Sequence, residues 1–508
     1  MGIKNISLLI LFVILSTRLV YAQEMYVAAG GEVTVSAGDA LYINNNLTVD
    51  GSGNLTVMSD NNKSGSLLVT GTSSGDIIYK RDIANSDWHL VSAPVTTQSI
   101  DGFAKGNNFI ATNNDKYAIA QYNNANQAGT KWEYYTTTTA PGAGSFISAK
   151  GYSTKRTEGG YYTFEGELAT SDVDYSITTS SGSHYWACVG NPYPTYMLGV
   201  DGGEIASLLK NNIDNLSPQY LALYVWNGAA YETVNFLSAR TYFTPGQAFM
   251  VKGKSANETF TFSKVLQSHQ SGNNTFHRTM EHPTIELYLN VDDKEKSTTL
   301  KYTENSTLGL DPGYDAGAFQ DGSPEFSINT HLLEDSEGVD ITVQCLPNDN
   351  LENNMVPVSV NATAGATLNF SATHSDFPEE LHIYLEDVLT SEIINLKEED
   401  YQVSIQSDLQ GIGRFYLYTT QEELSVTPEV LSSISIYSPD NKELIITGLQ
   451  GSKKVDLNIY NALGQKVYTH QFTAEQKINL NLPSVPSGVY ITELATTKGV
   501  HSKKLIFN

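Results

Sequence analysis

A duplication limits what this chain can fold into. Trp88-His89-Leu90-Val91-Ser92-Ala93-Pro94 recurs as Trp186-Ala187-Cys188-Val189-Gly190-Asn191-Pro192, 98 positions on (186 − 88). Phe146-Ile147-Ser148-Ala149-Lys150-Gly151-Tyr152 recurs as Phe243-Thr244-Pro245-Gly246-Gln247-Ala248-Phe249, 97 positions on (243 − 146). Each copy then reaches an aromatic run, Tyr161-Tyr162-Thr163-Phe164 and Thr259-Phe260-Thr261-Phe262. A repeat this long is a tandem pair of domains rather than a solenoid. Copy one is expected over residues 87–183 and copy two over 184–280, with Trp88 on Trp186 and Phe146 on Phe243.

Within each copy, Trp followed by alternating apolar residues starts a buried strand, and the X-Pro step ends it in an extended turn. The one helical candidate is 204–216, where Ile205, Leu208, Leu209 and Ile213 fall at helical spacing. The rest of the chain alternates with period two. Residues 23–86 hold six short apolar runs between Gly, Asn, Ser and Asp turns, which fits a hairpin meander or a few rungs of a β-helix. Their irregular spacing favours packed hairpins. Residues 281–424 read as a β-sandwich, 425–433 as an acidic linker with Pro428, and 434–508 as a second, Ig-like sandwich. The fold class is all-β and multidomain, with tandem β-sandwich-like modules.

Charge separates the last of these units from the others. Residues 431–508 carry eight Lys and five acids, +3, whereas residues 23–430 carry 20 basic and 50 acidic residues, −30. An acidic body repels nucleic acid and anionic lipid. Cys188 and Cys345 sit in different units and follow strand patterns, so buried thiols are expected rather than a disulfide.

The final segment carries the most specific motifs: Asn458-Ile459-Tyr460-Asn461-Ala462-Leu463-Gly464-Gln465-Lys466-Val467, then Pro486-Ser487-Gly488-Val489-Tyr490-Ile491, then Lys503-Lys504-Leu505-Ile506. It resembles the type A C-terminal sorting domain of proteins exported by the type IX secretion system of the Bacteroidetes. Ser438-Pro439-Asp440 stands where that family usually has Pro-Asn-Pro. The resemblance implies recognition by the type IX machinery, with Gly464, Pro486, Gly488, Tyr490, Lys503 and Lys504 as sorting-motif residues. It also implies passage through the periplasm to the outer-membrane cell surface or the medium. The 87–280 modules resemble ones found upstream of such domains, which brings no activity with it. The N-terminus agrees with export: Lys4, the apolar run 6–15 and Val20-Tyr21-Ala22 read as a signal peptide over 1–22, cleaved before Gln23. That run is too short to span a bilayer, and no transmembrane segment is expected.

Chemistry is sparse. Gly71-Thr72-Ser73-Ser74-Gly75 matches a nucleophile-elbow string, but Asp76-Ile77-Ile78-Tyr79 continues it as a strand where a helix is required. No His-Glu-x-x-His, zinc-spaced Cys pair or phosphate loop occurs. His184, His277 and His282 read as solvated. No catalytic residue is assigned and no enzyme is expected: the reading is a binding, adhesive or structural role, with a secreted glycan- or peptide-directed hydrolase with a loop-built site as the rival. Calcium is the one cofactor the sequence suggests, at Asp50-Gly51-Ser52-Gly53-Asn54 or at Asp311-Pro312-Gly313-Tyr314-Asp315 with Asp321, although ordinary turn chemistry explains both. Tyr134-Tyr135, Tyr193, Tyr196, Tyr224 and Trp226 lie near turns, as a platform for a glycan or surface-protein ligand would, although core packing is the favoured reading for each of them.

Overall fold

The computed structural model describes residues 19–51, 54–106, 108–127, 129–178, 184–270, 282–319, 325–349, 351–352, 354–421, 435–440, 443–447, 454–461, 466–473, 477–483, 486, 488–496 and 499–507. Its elements are nearly all strands, and they form two compact units, 1–281 with 312–324, and 282–311 with 325–508.

The first unit opens with a parallel β-helix, not the packed hairpins the spacing favoured. Leu19–Ala22, Ala40–Ile43 and Ser66–Val69 stack in parallel on one side. Met25–Val27, Leu47–Val49 and Ser73–Ser74 stack on a second. Glu32–Val35, Asn54–Met58 and Ile77–Ile83 stack on a third. Inward Val27, Ile43, Leu47, Leu55, Val57 and Ile77 fill the coil. The period hides because it changes between rungs. Met25 pairs with Leu47, 22 residues on (47 − 25), and Leu47 with Ser73, 26 on (73 − 47). An excursion closed by the Ser59–Ser64 bridge lies within the longer step. The Gly-x-Ser-x-Gly string is a rung turn: a Cβ on Gly75, at φ 85°, would collide with the Val49 carbonyl of the rung before it. Strand Leu19–Ala22 lies ahead of the expected cleavage point, so removal of residues 1–22 would take this strand and its Tyr21–Tyr42 stack (4.9 Å) with it.

The core does not stop at residue 86. Strand Ile77–Ile83 also pairs antiparallel with Gly160–Gly166, and one cluster joins the rungs to Phe103, Phe146, Tyr152 and Phe164. The second repeat repeats this arrangement: Val173–Ile177, on the first copy's side of residue 183, pairs with Glu258–Phe262.

The two copies have matching sheets. Copy one orders Trp88–Val91, Tyr152–Lys155, Lys116–Tyr122 and Trp132–Thr136 by pairing, and copy two orders Trp186–Gly190, Ala248–Lys252, Leu223–Trp226 and Tyr231–Val234. Register matches as well: Trp88 faces Lys155 and Val91 faces Tyr152, as Trp186 faces Lys252 and Val189 faces Phe249. The aromatic cores correspond, with Phe146 on Tyr152 at 4.8 Å and Phe243 on Phe249 at 4.3 Å.

The copies meet reciprocally. Val91 bridges to Gln247 and Val189 to Lys150, which are equivalent pairs under the repeat offsets. Ser92 N donates to Gly246 O, and Gly190 N donates to Ala149 O, both at 2.9 Å. Ala149 and Gly246 both occupy the left-handed region, at φ 61° and 66°. Trp226 Nε1 donates to Trp88 O at 3.0 Å, and Asn124 Nδ2 donates to Trp186 O at 3.1 Å. Self-complementary exchange of this kind defines a pseudo-two-fold interface. Trp186 is 3 % exposed, against Tyr220, Tyr224 and Phe319. Trp186→Ala should therefore cost ~3–5 kcal/mol, read as the denaturant midpoint shift at constant m-value. The helical reading over 204–216 shortens to Leu208–Asn211, capped by Ser207, and a second helix not expected from the pattern, Ile100–Lys105, is capped by Ser99.

In the second unit, ten strands follow one path of pairing, Glu392–Asn395, His382–Asp387, Phe415–Thr420, Val356–Asn361, Ser327–Thr330, Ile341–Pro347, Lys294–Thr303, Thr284–Val291, Thr367–Ser375 and Tyr401–Ser404. Phe415 and Phe370 lie on strands with five others between them, yet their rings are 4.7 Å apart. Six inter-strand steps of about 4.8 Å would separate them by roughly 29 Å in a flat sheet. The sheet therefore folds over a single core, as a sandwich.

Candidate functional site

The sorting segment folds around its own core. Ser435–Asp440, Glu443–Thr447 and Lys477–Asn481 form one sheet, and Lys466–Phe472, Val455–Asn461, Gly488–Thr496 and Gly499–Phe507 form the other. Ile436, Leu444, Leu457, Ile459, Leu494 and Phe507 lie between them. Tyr490 is buried, with its ring 5.2 Å from Phe507, and its hydroxyl donates to Pro486 O at 2.9 Å. This bond ties the exposed Pro486 turn to the strand that follows. Gly488 has φ 156° and pairs with Phe507. Lys503 and Lys504, half-buried, pair with Thr492 and Ile491 on the closing hairpin, and burial pushes the Lys504 ammonium down. Gly464 lies outside the described residues.

The aromatic candidates divide. Tyr193, Tyr196 and Tyr224 are core residues rather than platforms. The Tyr193 hydroxyl donates to Ser171 O and Phe262 O, and that of Tyr224 to Gly317 O at 2.7 Å. Tyr196 accepts from Ser64 N of the β-helix. Tyr134 is 40 % exposed and meets Trp88 edge-on at 5.8 Å; Tyr135 and Trp226 are half-buried.

Trp226 belongs to a cluster the sequence did not show. Its ring is 5.1 Å from Tyr231, which lies 4.4 Å from Phe319, which in turn lies 4.7 Å from Trp186. Tyr220, on the 3-10 turn Pro218–Tyr220, completes the cluster 5.5 Å from Trp186. Lys252 Nζ sits 3.5 Å from the Tyr220 ring centroid and 5.6 Å from that of Trp186. Burial pushes the Lys252 ammonium down to about 8, and the charge of Lys131 pushes in the same direction. The signal available in sequence was the register. Aligning the repeats puts Lys155 and Lys252 97 positions apart (252 − 155), opposite the paired tryptophans.

The remaining candidates are structural in character. Both Asp311 oxygens accept from Thr307, one from its N–H at 2.7 Å and one from its hydroxyl at 3.1 Å, and Asp50 accepts from Tyr26. Ser52, Gly53 and Asp321 lie outside the described residues. Among the described residues, no group of three or more His, Cys, Asp or Glu side chains is placed to hold a metal ion. Cys188 and Cys345 are buried and not joined by a disulfide, and burial pushes the Cys188 thiol up. His184 is exposed, His282 half-buried, and His277 lies outside the described residues. An unforeseen pair joins His331 Nε2 to Asp340 Oδ1 at 3.0 Å.

The chain is thus an all-β body followed by a strand sandwich with its own core and a closing Lys-Lys hairpin. Residues 435–508 match the family model of the secretion system C-terminal sorting domain, and the protein is a type A cargo of the type IX secretion system of the Bacteroidetes. The chain belongs to the family described as a domain of unknown function (DUF8693), whose model matches residues 10–418. None of the curated proteins compared with it matches. The sorting domain implies contact with the type IX machinery and delivery to the outer-membrane surface or the medium. Among the described residues, no helix is long and apolar enough to cross a membrane.

Proposed function

We propose that the body of this cargo is a non-catalytic binding or adhesive module for a glycan or surface protein. It would reach the cell exterior through the periplasm after loss of residues 1–22. The observation that supports this reading is the half-buried aromatic face of the second repeat, Trp226, Tyr231 and Phe319, beside Tyr220. Rings held in place by cross-strand pairing offer flat faces at low entropic cost, which suits stacking on sugar rings or on a partner's side chains. Trp226 is further held by its bond to Trp88 O. The test is a glycan and cell-binding screen on the exported protein, run beside a panel of glycan, peptide and ester substrates. Saturable binding without turnover is the expected result. Reproducible turnover abolished by His331→Ala would replace this reading with the hydrolase one, which the His331–Asp340 pair favours.

A further inference from the structure

The surroundings of Lys252 point to the charge of the ligand. The chain carries 55 acidic and 30 basic residues, so carboxylates are plentiful. Yet among the described residues no carboxylate or hydrogen-bond acceptor meets Lys252 Nζ; its contacts are the ring faces of Tyr220 and Trp186. The side chain is half-buried. A partly desolvated ammonium without a counter-charge is costly unless something else supplies one. The charge of Lys131 acts on it too, which strengthens the local positive field.

The first repeat has the same Trp–Lys register but a different setting. Trp88 faces Tyr134, whereas in the second repeat the box is walled by two added segments: the Pro218–Tyr220 turn, and residues 316–319, anchored by Tyr224 donating to Gly317 O. Those segments bring Tyr220 to the lysine and Phe319 to Trp186 and Tyr231.

We propose that the second repeat binds the carboxylate of an acidic, uronate-bearing saccharide, with Lys252 as the anion contact and the rings of Tyr231, Phe319 and Trp226 as the surface on which the sugar stacks. This rests on the binding reading above and adds to it the sign of the ligand's charge. A sugar presents a C–H face to an aromatic ring, and an acidic oligosaccharide adds carboxylates along its length, so one ligand satisfies both parts of the site. Lys252 accepts the charge without moving, because cross-strand pairing with Trp186 holds its backbone.

The experiment titrates full-length exported protein with oligosaccharides of galacturonate, glucuronate and mannuronate and with their neutral methyl esters. The acids should bind at least ~10-fold more tightly than the esters, the range of one charge-assisted contact. Lys252→Met should remove that difference by weakening the acids alone, Lys252→Arg should retain it, and raised salt should reduce it. The Lys252→Met melting temperature should not fall, since the change removes a desolvated charge, and this separates lost binding from lost folding. Equal affinity for acids and esters, or equal loss of both in Lys252→Met, overturns the proposal and leaves the binding reading standing. Lys252-dependent capture of poly-glutamate without uronate binding overturns the saccharide assignment. Failure to bind any glycan or cell surface removes the binding reading itself.

Discussion

Deleting residues 431–508 is expected to leave a folded, stable body that accumulates in the periplasm. The effect should be close to all-or-none, because it removes the whole recognition module. The segment has its own core, and the sandwich that precedes it has another, so neither needs the other's side chains to exclude water. Its net charge, +3 against −30 for residues 23–430, also marks it as a distinct surface. The measurement is fractionation with a protease-protection assay, together with a melting curve of the truncated protein. Truncated protein at the cell surface would contradict the sorting assignment. A fusion of 431–508 to an unrelated secreted protein should conversely carry that protein outside. Tyr490→Phe isolates one contact: it removes the hydroxyl that holds Pro486 O while keeping the ring on Phe507. It should slow export more than it lowers the melting temperature if the Pro486 turn is what the machinery reads.

Arg414→Ala should destabilise the second unit by ~3–5 kcal/mol, the usual cost of leaving one partner of a buried ion pair behind. The Asp387 carboxylate is 0 % exposed. Arg414 Nε donates to it at 3.0 Å and Nη2 at 2.6 Å, the Tyr401 hydroxyl at 2.9 Å and Leu389 N–H at 3.0 Å. Tyr401 comes from the last strand of the sheet path and Asp387 from the second, so the carboxylate fastens the two ends of the folded-over sheet. Removing the guanidinium strands a desolvated charge, whereas Asp387→Leu with Arg414→Met removes both charges and should recover most of the loss. Chemical denaturation of the three proteins checks this. A single-variant loss below about 1 kcal/mol would mean that water replaces the guanidinium and that the site is open.

Local pattern carried much of the argument and misled at definite points. Trp88 and Trp186 were legible as equivalent because tandem copies keep their strand-starting residues, and their cross-strand partners confirm the same register. Tyr193 and Tyr224 take the core packing that sequence favours over a platform, but proximity to a turn does not reveal what packs above the ring. For Tyr224 the covering segment includes Gly317, 93 residues away (317 − 224). The 204–216 helix shortened because only Leu208 and Leu209 of its expected apolar face reach the core fully; Ile205 is 47 % exposed.

The strand content, the duplication, the uneven charge and the sorting motifs were determined by the sequence alone. Each is a property of neighbours along the chain or of direct self-comparison. Only the tertiary structure decided the rest. Parallel rungs won over hairpins because pairing 21 to 26 residues apart depends on which glycines let rungs approach, as Gly75 does beneath Val49. The pseudo-two-fold seam depends on backbone atoms, the N–H groups of Ser92 and Gly190 and the carbonyls of Gly246 and Ala149, which residue identity barely encodes. Lys252 became a candidate site only when Trp186 and Tyr220 closed around it. The desolvation of a charge is set by the groups packed around it in space, and Trp186 lies 66 residues from the lysine along the chain (252 − 186).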